Sequence, residues 1–320
     1  MFCSVFSFAD ECAPFPKLKK QGWRHYWRTP LFVTSQGDPW HSTNDSVANT
    51  NFGFTIDGKF TYGSFSKDLE DERVSLWIRS KDCKNWYKVG ERTTDHDGRA
   101  DFSINAGFFK ETGVYKYRMV VNGDLSYVEA KAWVVPSEQK AVLFDIDGTL
   151  TTSDGELIEE LIGGWTPEMY EDANELAQRY ARKGYLILYV TGRPYLLRDL
   201  SKEWLSDMGF PDGPLHLTDF VSDSLTNVEH YKEKVLKGYL SGKKIKIKAA
   251  YGNAQTDICA YAKAGIDPLN TYIIGPNAGN CCEGFKAPQG INNYKDHMDE
   301  LIDTDRLLGD DQLNPNVGAA

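Results

Sequence analysis

No stretch of this chain stays apolar for the roughly 18 to 20 residues that a membrane-spanning helix needs. The opening residues, MFCSVFSFADECAPF, are apolar but carry no basic leader and no long uninterrupted core, so no secretory signal is expected there. Positive charge is in the minority: 36 Lys and Arg against 46 Asp and Glu give a formal net charge of -10. That balance argues against non-specific binding of nucleic acid by the molecule as a whole. The six cysteines, Cys3, Cys12, Cys83, Cys259, Cys281 and Cys282, form no CxxC pair and no regular framework, and reduced thiols in a cytosolic protein are expected. The histidines are dispersed and offer no metal-ligand spacing, and His230 reads as structural.

What is present is ample core: 41% of the 320 residues are hydrophobic, enough for two ordinary domains. From residue 31 to 136 short aromatic and β-branched runs alternate with Gly, Asn and Asp turns. RVSLWIRS (Arg73 to Ser80) puts Val74, Leu76 and Ile78 on one face, and two runs flank a hairpin turn at Asn122-Gly123-Asp124. Another turn is expected at Asp97-Gly98. This pattern predicts an all-β, immunoglobulin-like sandwich.

After Pro136 strands alternate with helices. Strand Ala141 to Phe144 precedes a helix from TPEMYEDANELAQRYARKG, strand YLILYVTG, helix PYLLRDLSKEWLSDMG, a short strand near PLHLTD, helix NVEHYKEKVLKGYL, strand IKIKAAYGN, helix AQTDICAYAKAG and strand TYIIGP. Such alternation predicts an α/β domain over 137–305 with a parallel sheet covered on both faces, followed by an acidic tail over 306–320. Functional residues then gather at the carboxyl ends of the strands. Asp145 and Asp147 end the first strand, Thr191, Gly192 and Arg193 the second, and Asn253 the last but one, with Asp257 a helical turn further on.

Two carboxylates as close as Asp145 and Asp147 repel unless something positive lies between them. With Asn253 and Asp257 they form an all-oxygen donor set, which suits Mg²⁺ rather than zinc. The Thr191 hydroxyl and Lys232 add groups able to hold phosphoryl oxygens, an array suited to phosphoryl transfer.

The residues now carry a resemblance. DIDGT after an apolar strand, YVTGR, Lys232 and GNAQTD resemble the four ordered motifs of the haloacid dehalogenase (HAD) superfamily. Lys234 is close enough to compete with Lys232 for the third. This resemblance implies a HAD-like Rossmannoid fold, Asp145 as nucleophile, Asp147 as acid/base and Thr149 bracing the motif. It implies Mg²⁺ held by Asp145, the Asp147 backbone carbonyl and the Asn253 and Asp257 region. A helix and a strand fill most of the interval between Asp147 and Thr191, so no cap domain is expected and the substrate should be large or surface-borne. Ser153, with Thr151, Thr152 and Asp154, is expected over the entrance as a substrate contact, beside Gly192. Arg193 is expected to orient a headgroup, with bracing of the rim as the other role.

FDIDGTLTTSD, GYLILYVTGRP, FPDGPLHLTDF, EHYKEKVL and AAYGNAQTDICAYAKAGI further resemble the catalytic domain of the lipin family of phosphatidate phosphatases. They resemble equally the related domain of membrane-associated phosphatidylinositol-transfer proteins, where motif I has lost acidic residues and the implied role is phosphatidate binding without hydrolysis. The retained Asp145 and Asp147 favour the enzyme here. The expectation is a Mg²⁺-dependent phosphatidate phosphatase, cytoplasmic and peripheral on a membrane such as the endoplasmic reticulum. The alternatives are the non-catalytic phosphatidate-binding module and a capless phosphatase acting on a phosphoprotein or nucleic-acid end.

An interfacial substrate gives residues 1–30 a role. A helix would group Phe2, Val5 and Phe6. The following run interleaves Lys17, Lys19, Lys20, Arg24 and Arg28 with Trp23, Tyr26 and Trp27, which is expected to contact an anionic membrane surface.

Overall fold

The computed structural model describes residues 12–152, 167–218 and 226–309. Phe2, Val5, Phe6, Ser153, Asp154 and the tail from 310 onward lie outside them. The chain divides into two compact units, the first from residues up to 46 and from 53 to 134, the second from 47 to 52 and from 135 onward.

The first unit is a β-sandwich. A short helix α1 (Arg28–Phe32) precedes strands β1 (Ser46–Asn49), β2 (Phe54–Lys59), β3 (Thr61–Tyr62), β4 (Lys67–Asp68), β5 (Arg73–Arg79), β6 (Trp86–Thr93), β7 (Arg99–Ile104), β8 (Gly113–Val121) and β9 (Tyr127–Val135). One sheet runs β1-β9-β8-β5-β6, while β2 pairs with β7 and β3 with β4. Val74, Leu76 and Ile78 turn inward from β5, and Ala100, Phe102 and Ile104 from β7, as period-two alternation requires. The Asn122-Gly123 turn joins β8 to β9 in antiparallel register, and Gly98 takes its turn at φ +67°.

The second unit is a six-stranded parallel sheet. It contains β10 (Gln139–Phe144), helix α2 (Ala173–Arg182), β11 (Leu186–Pro194), helix α3 (Arg198–Asp207), β12 (Leu215–Thr218), helix α4 (Val228–Leu240), β13 (Ile245–Gly252), helix α5 (Gln255–Lys263), β14 (Thr271–Ile274), β15 (Gln289–Ile291) and helix α6 (Tyr294–Asp303). The strand order is β12-β11-β10-β13-β14-β15, with every pairing parallel. Alternate residues of β10 feed opposite cores. Val142 and Phe144 join a cluster with Leu176, Trp204 and Tyr294, whereas Ala141 and Leu143 join Tyr231, Leu236 and Tyr261. The order reverses about β10, so the end of this strand opens on the crevice where α/β sheets place their ligands.

Three sequence expectations change. Helix α2 starts at Ala173, because Asp172 sits at φ 62° and cannot continue a right-handed helix backwards. Strand β15 was not expected, being three residues with no readable periodicity. The cysteines are not all reduced: Cys12 pairs with Cys83 and Cys259 with Cys282, leaving Cys281 as the free, exposed thiol among the described residues. Spacing alone could not reveal these pairs, since each joins segments brought together only by the fold.

Candidate functional site

The site forms where β10, β11 and β13 end. The Asp145 N–H donates to the Tyr251 carbonyl at 3.0 Å, extending the β10–β13 ladder one residue into the loop. The chain then turns tightly: the Ile146 carbonyl accepts the N–H groups of Thr149, Leu150 and Thr151 at 3.2, 2.7 and 3.0 Å. Gly148 adopts φ +66° inside this turn, a conformation that favours glycine. The Thr149 carbonyl accepts the Tyr294 hydroxyl at 2.6 Å, so α6 clamps the turn from behind.

Lys232, on α4, donates to Asp145 Oδ1 at 2.7 Å and to Asp257 Oδ1 at 2.6 Å, and all three side chains are buried. Lys234 is exposed, so Lys232 is the lysine that reaches the rim. Burial pushes the Asp145 carboxyl up to about 7; Lys232 pulls it back while Asp257 and Asp147 add to the rise. Burial also opposes the Lys232 ammonium, but the two carboxylates outweigh it and leave the lysine firmly charged.

The Asp257 carboxylate has little left to offer. Its Oδ2 accepts the backbone N–H groups of Asn253 and Ala254 at 3.2 and 3.1 Å, fixing the start of α5. Gly252 permits this approach: a Cβ there would lie 2.6 Å from Asp257 Cβ. Thr149 Oγ1 lies 3.3 Å from both Asp145 Oδ2 and Asn253 Oδ1, which brings two hard oxygens to one spot. The Asn253 backbone is held in turn by Asn277 Nδ2, which donates to its carbonyl at 2.9 Å.

Arg193 is fully buried, and its role differs from the expected headgroup contact. Its Nε donates to both Asp147 oxygens at 3.1 Å, one terminal nitrogen to Asp147 Oδ1 at 2.9 Å and the other to Ser201 Oγ at 3.0 Å. It braces the rim. The Thr191 hydroxyl donates to Asp147 Oδ2 at 3.3 Å and accepts the Arg193 N–H at 3.2 Å, so it too is engaged. Gly192 gives α4 close access, since a Cβ there would meet Val228 Cγ1 at 3.0 Å. Ser201, Tyr294 and Asn277 were not found from sequence, because none belongs to a motif and their register became known only with the fold.

In the first unit the basic and aromatic segment is divided. Lys19, Lys20 and Trp27 are exposed, Trp27 at 73%. Trp23 instead packs on the β8–β9 turn at Gly123, and Arg24 is committed to Asp71 at 3.1 Å and Thr93 at 3.0 Å. Tyr26, in the same run, is exposed beside Trp27, and Leu31 and Phe32 join them as exposed apolar side chains that sequence reading did not single out. No helix among the described residues is long and apolar enough to cross a membrane.

Residues 142–275 match the family model of the LNS2 domain of PITM 1-3, and residues 39–134 match the β-sandwich domain of the same proteins. Membrane-associated phosphatidylinositol transfer protein 1 of Rattus norvegicus is 32% identical over 238 residues, 73% of this chain and 18% of that protein. Membrane-associated phosphatidylinositol transfer protein 2 of Homo sapiens is 30% identical over 238 residues, covering 73% of this chain and 17% of its own length. Protein retinal degeneration B of Drosophila melanogaster is 29% identical over 237 residues, covering 73% and 18%. The chain thus spans about a fifth of the length of these relatives. The expectation of a phosphatidate phosphatase is corrected by these findings: the first two of these relatives are phosphatidylinositol transfer proteins by name, and neither matched model is that of a lipin or another phosphatase. Intact aspartates at 145 and 147 were too weak a sign of catalysis, because the same carboxylates are engaged in the buried ion pairs with Arg193 and Lys232. The chain carries a β-sandwich domain followed by an LNS2-type domain, each similar to its counterpart in PITM 1-3.

Proposed function

We propose that the LNS2-type domain binds the phosphomonoester headgroup of phosphatidic acid at a membrane surface and does not hydrolyse it. The observation that carries this reading is the state of Asp147. Both its oxygens are taken by the buried Arg193 guanidinium, which commits it as an ion-paired wall of the site. Asp145 is likewise tied to Lys232.

The donor set fits Mg²⁺ through Asp145 Oδ2, Asn253 Oδ1 and the Asp147 backbone carbonyl, which is not among the acceptors closing the turn. Asp257 would act indirectly, by positioning Lys232 and α5. The ion would supply positive charge for the phosphate. Lys19, Lys20 and the exposed aromatics around Trp27 would give the first unit a peripheral foothold on an anionic surface, of about 1 kcal/mol per basic residue.

The test is co-sedimentation of the purified chain with vesicles containing phosphatidate or, at equal charge, phosphatidylserine, in Mg²⁺ or EDTA, with free phosphate assayed in the same tubes. Preferential, Mg²⁺-dependent binding to phosphatidate with no phosphate release is expected. Sustained phosphate release, or equal binding to both lipids, would overturn the reading.

A further inference from the structure

The β-sandwich contains a cavity that none of the rim residues of the other unit touches. Its volume is about 830 Å³, within the usual span of small-molecule sites of roughly 300 to 1,000 Å³. Its floor is apolar: Phe109 is buried, with its ring centroid 4.4 Å from that of Tyr115 and 5.1 Å from that of Phe108, and Ile78 adds an aliphatic wall. At the mouth Phe108 and Tyr87 are 43% and 56% exposed. These are large apolar surfaces left to water at the edge of a hollow, where a ligand would cover them.

The polar groups of the lining divide cleanly. Tyr115 spends its hydroxyl on the Glu111 carbonyl at 3.0 Å, and Ser80 spends its own on Asp82 at 2.6 Å. Lys81 and Glu111 neutralise each other at 3.0 Å. Arg79 and Lys110 remain, with no carboxylate partner among the described residues, and both line the cavity. Asp82 also lines the hollow, its carboxylate accepting from Ser80 and the Lys84 N–H, and Arg79 lies over the Trp86 ring at 5.9 Å. Three cations against two carboxylates, on a chain of net charge -10, mark a local reversal of sign.

We infer that this cavity is a second lipid site, taking the hydrocarbon chain of a single-chain anionic lipid, with Arg79 and Lys110 meeting its terminal anion. The floor offers an alkyl chain apolar contact and has few hydrogen bonds to give, which disfavours a nucleotide or a sugar. The two cations supply the orientation, headgroup outward. The shared chemistry is a long chain ending in a carboxylate or phosphate, so fatty acids and lysophospholipids are both candidates.

This inference does not depend on the phosphatidate reading, and the experiment separates the two. The full chain is titrated with a dansyl-labelled undecanoate, which has no phosphate, and the probe is then displaced with oleate, with lysophosphatidate and with octanoate. Saturable binding of one probe per chain is expected, reversed by oleate below its micellar concentration. Octanoate should be at least tenfold weaker than oleate, and excess inorganic phosphate should have no effect. Arg79→Glu with Lys110→Glu should weaken the probe at least tenfold. If the double variant melts early, Lys110→Glu alone decides the matter, since that side chain is exposed. Absence of saturation, displacement by inorganic phosphate, or unchanged affinity in a folded charge-reversed variant would overturn the inference. The relative strength of oleate and lysophosphatidate identifies which headgroup the cations prefer.

Discussion

The Arg193 guanidinium lies along the Asp147 carboxylate, Nε 3.1 Å from each oxygen, with no solvent exposure of its own. Removing one partner of such a pair strands the other, at a cost of about 3 kcal/mol. Arg193→Ala should lower unfolding stability by that amount in urea and abolish phosphatidate binding. Arg193→Lys keeps the charge but not the fork, and should recover part of the stability. Wild-type stability in Arg193→Ala would show that Asp147 finds another partner.

Lys232 and Lys234 separate what proximity in sequence cannot. Lys232→Ala leaves Asp145 and Asp257 facing each other without a cation and should cost about 3 to 5 kcal/mol. Lys234→Ala, at an exposed position, should stay within about 0.5 kcal/mol of the parent. Equal effects in denaturation curves would remove Lys232 from the rim.

Burial of His297 should withdraw stability from the LNS2-type domain between pH 6.5 and pH 4, against the opposite contribution of Asp145, whose carboxyl is held up to about 7 and takes a proton in the folded chain over the same range. Burial of His297 lowers its pKa from 6.5 to about 4, with Arg306 adding to the shift, and its Nδ1 is buried without a partner. Well above pH 6.5 the imidazole is neutral whether folded or unfolded, and the His297 contribution is complete. As the pH drops through that window the unfolded chain takes a proton that the folded chain refuses, at a total cost of about 3 kcal/mol. The stability difference between parent and His297→Phe, read from denaturant midpoints, should move in the variant's favour by that amount as the pH falls from 6.5 to 4. Burial of His41 in the sandwich lowers its pKa to about 4 as well, so a fall should persist in that unit. A parent-to-variant difference that stays level across this range would refute the His297 assignment.

Gly252→Ala should disturb the site without removing any polar group. The added Cβ would lie 2.6 Å from Asp257 Cβ, and the start of α5 must shift to admit it. A loss of about 1 to 3 kcal/mol is expected, together with weaker phosphatidate binding. Unchanged binding would mean that the position of α5 is not critical.

A non-reducing digest should yield linked peptides for Cys12 with Cys83 and Cys259 with Cys282, with Cys281 open to alkylation. The linked residues are 71 and 23 apart in sequence. On the chain-entropy account, reduction should cost about 4 and about 3 kcal/mol respectively. Finding all these thiols alkylated under native conditions would restore the reduced state expected from sequence.

Much of the scaffold could be read beforehand because its signals are local. The apolar run into DIDGT, the alternation in RVSLWIRS and the Asn122-Gly123 turn each specify a geometry within a few residues. The site was legible as a set of positions, since strand ends in a parallel sheet converge whatever their side chains do. It was not legible as a set of contacts. Whether Arg193 turns outward to a ligand or inward to Asp147 depends on Ser201, eight residues away on a helix, and no periodicity encodes that choice. The same holds for Trp23, which settles on a turn a hundred residues later.

The rim also has a charge inventory. Among the described residues, Asp145, Asp147 and Asp257 share two cations, Lys232 and Arg193, both buried. A phosphomonoester arrives with close to two further negative charges at neutral pH. On the proposed reading, headgroup and rim repel each other unless a divalent cation enters with the lipid. The domain would then respond to the product of two concentrations, and a phosphatidate-rich surface without available cation would pass unnoticed.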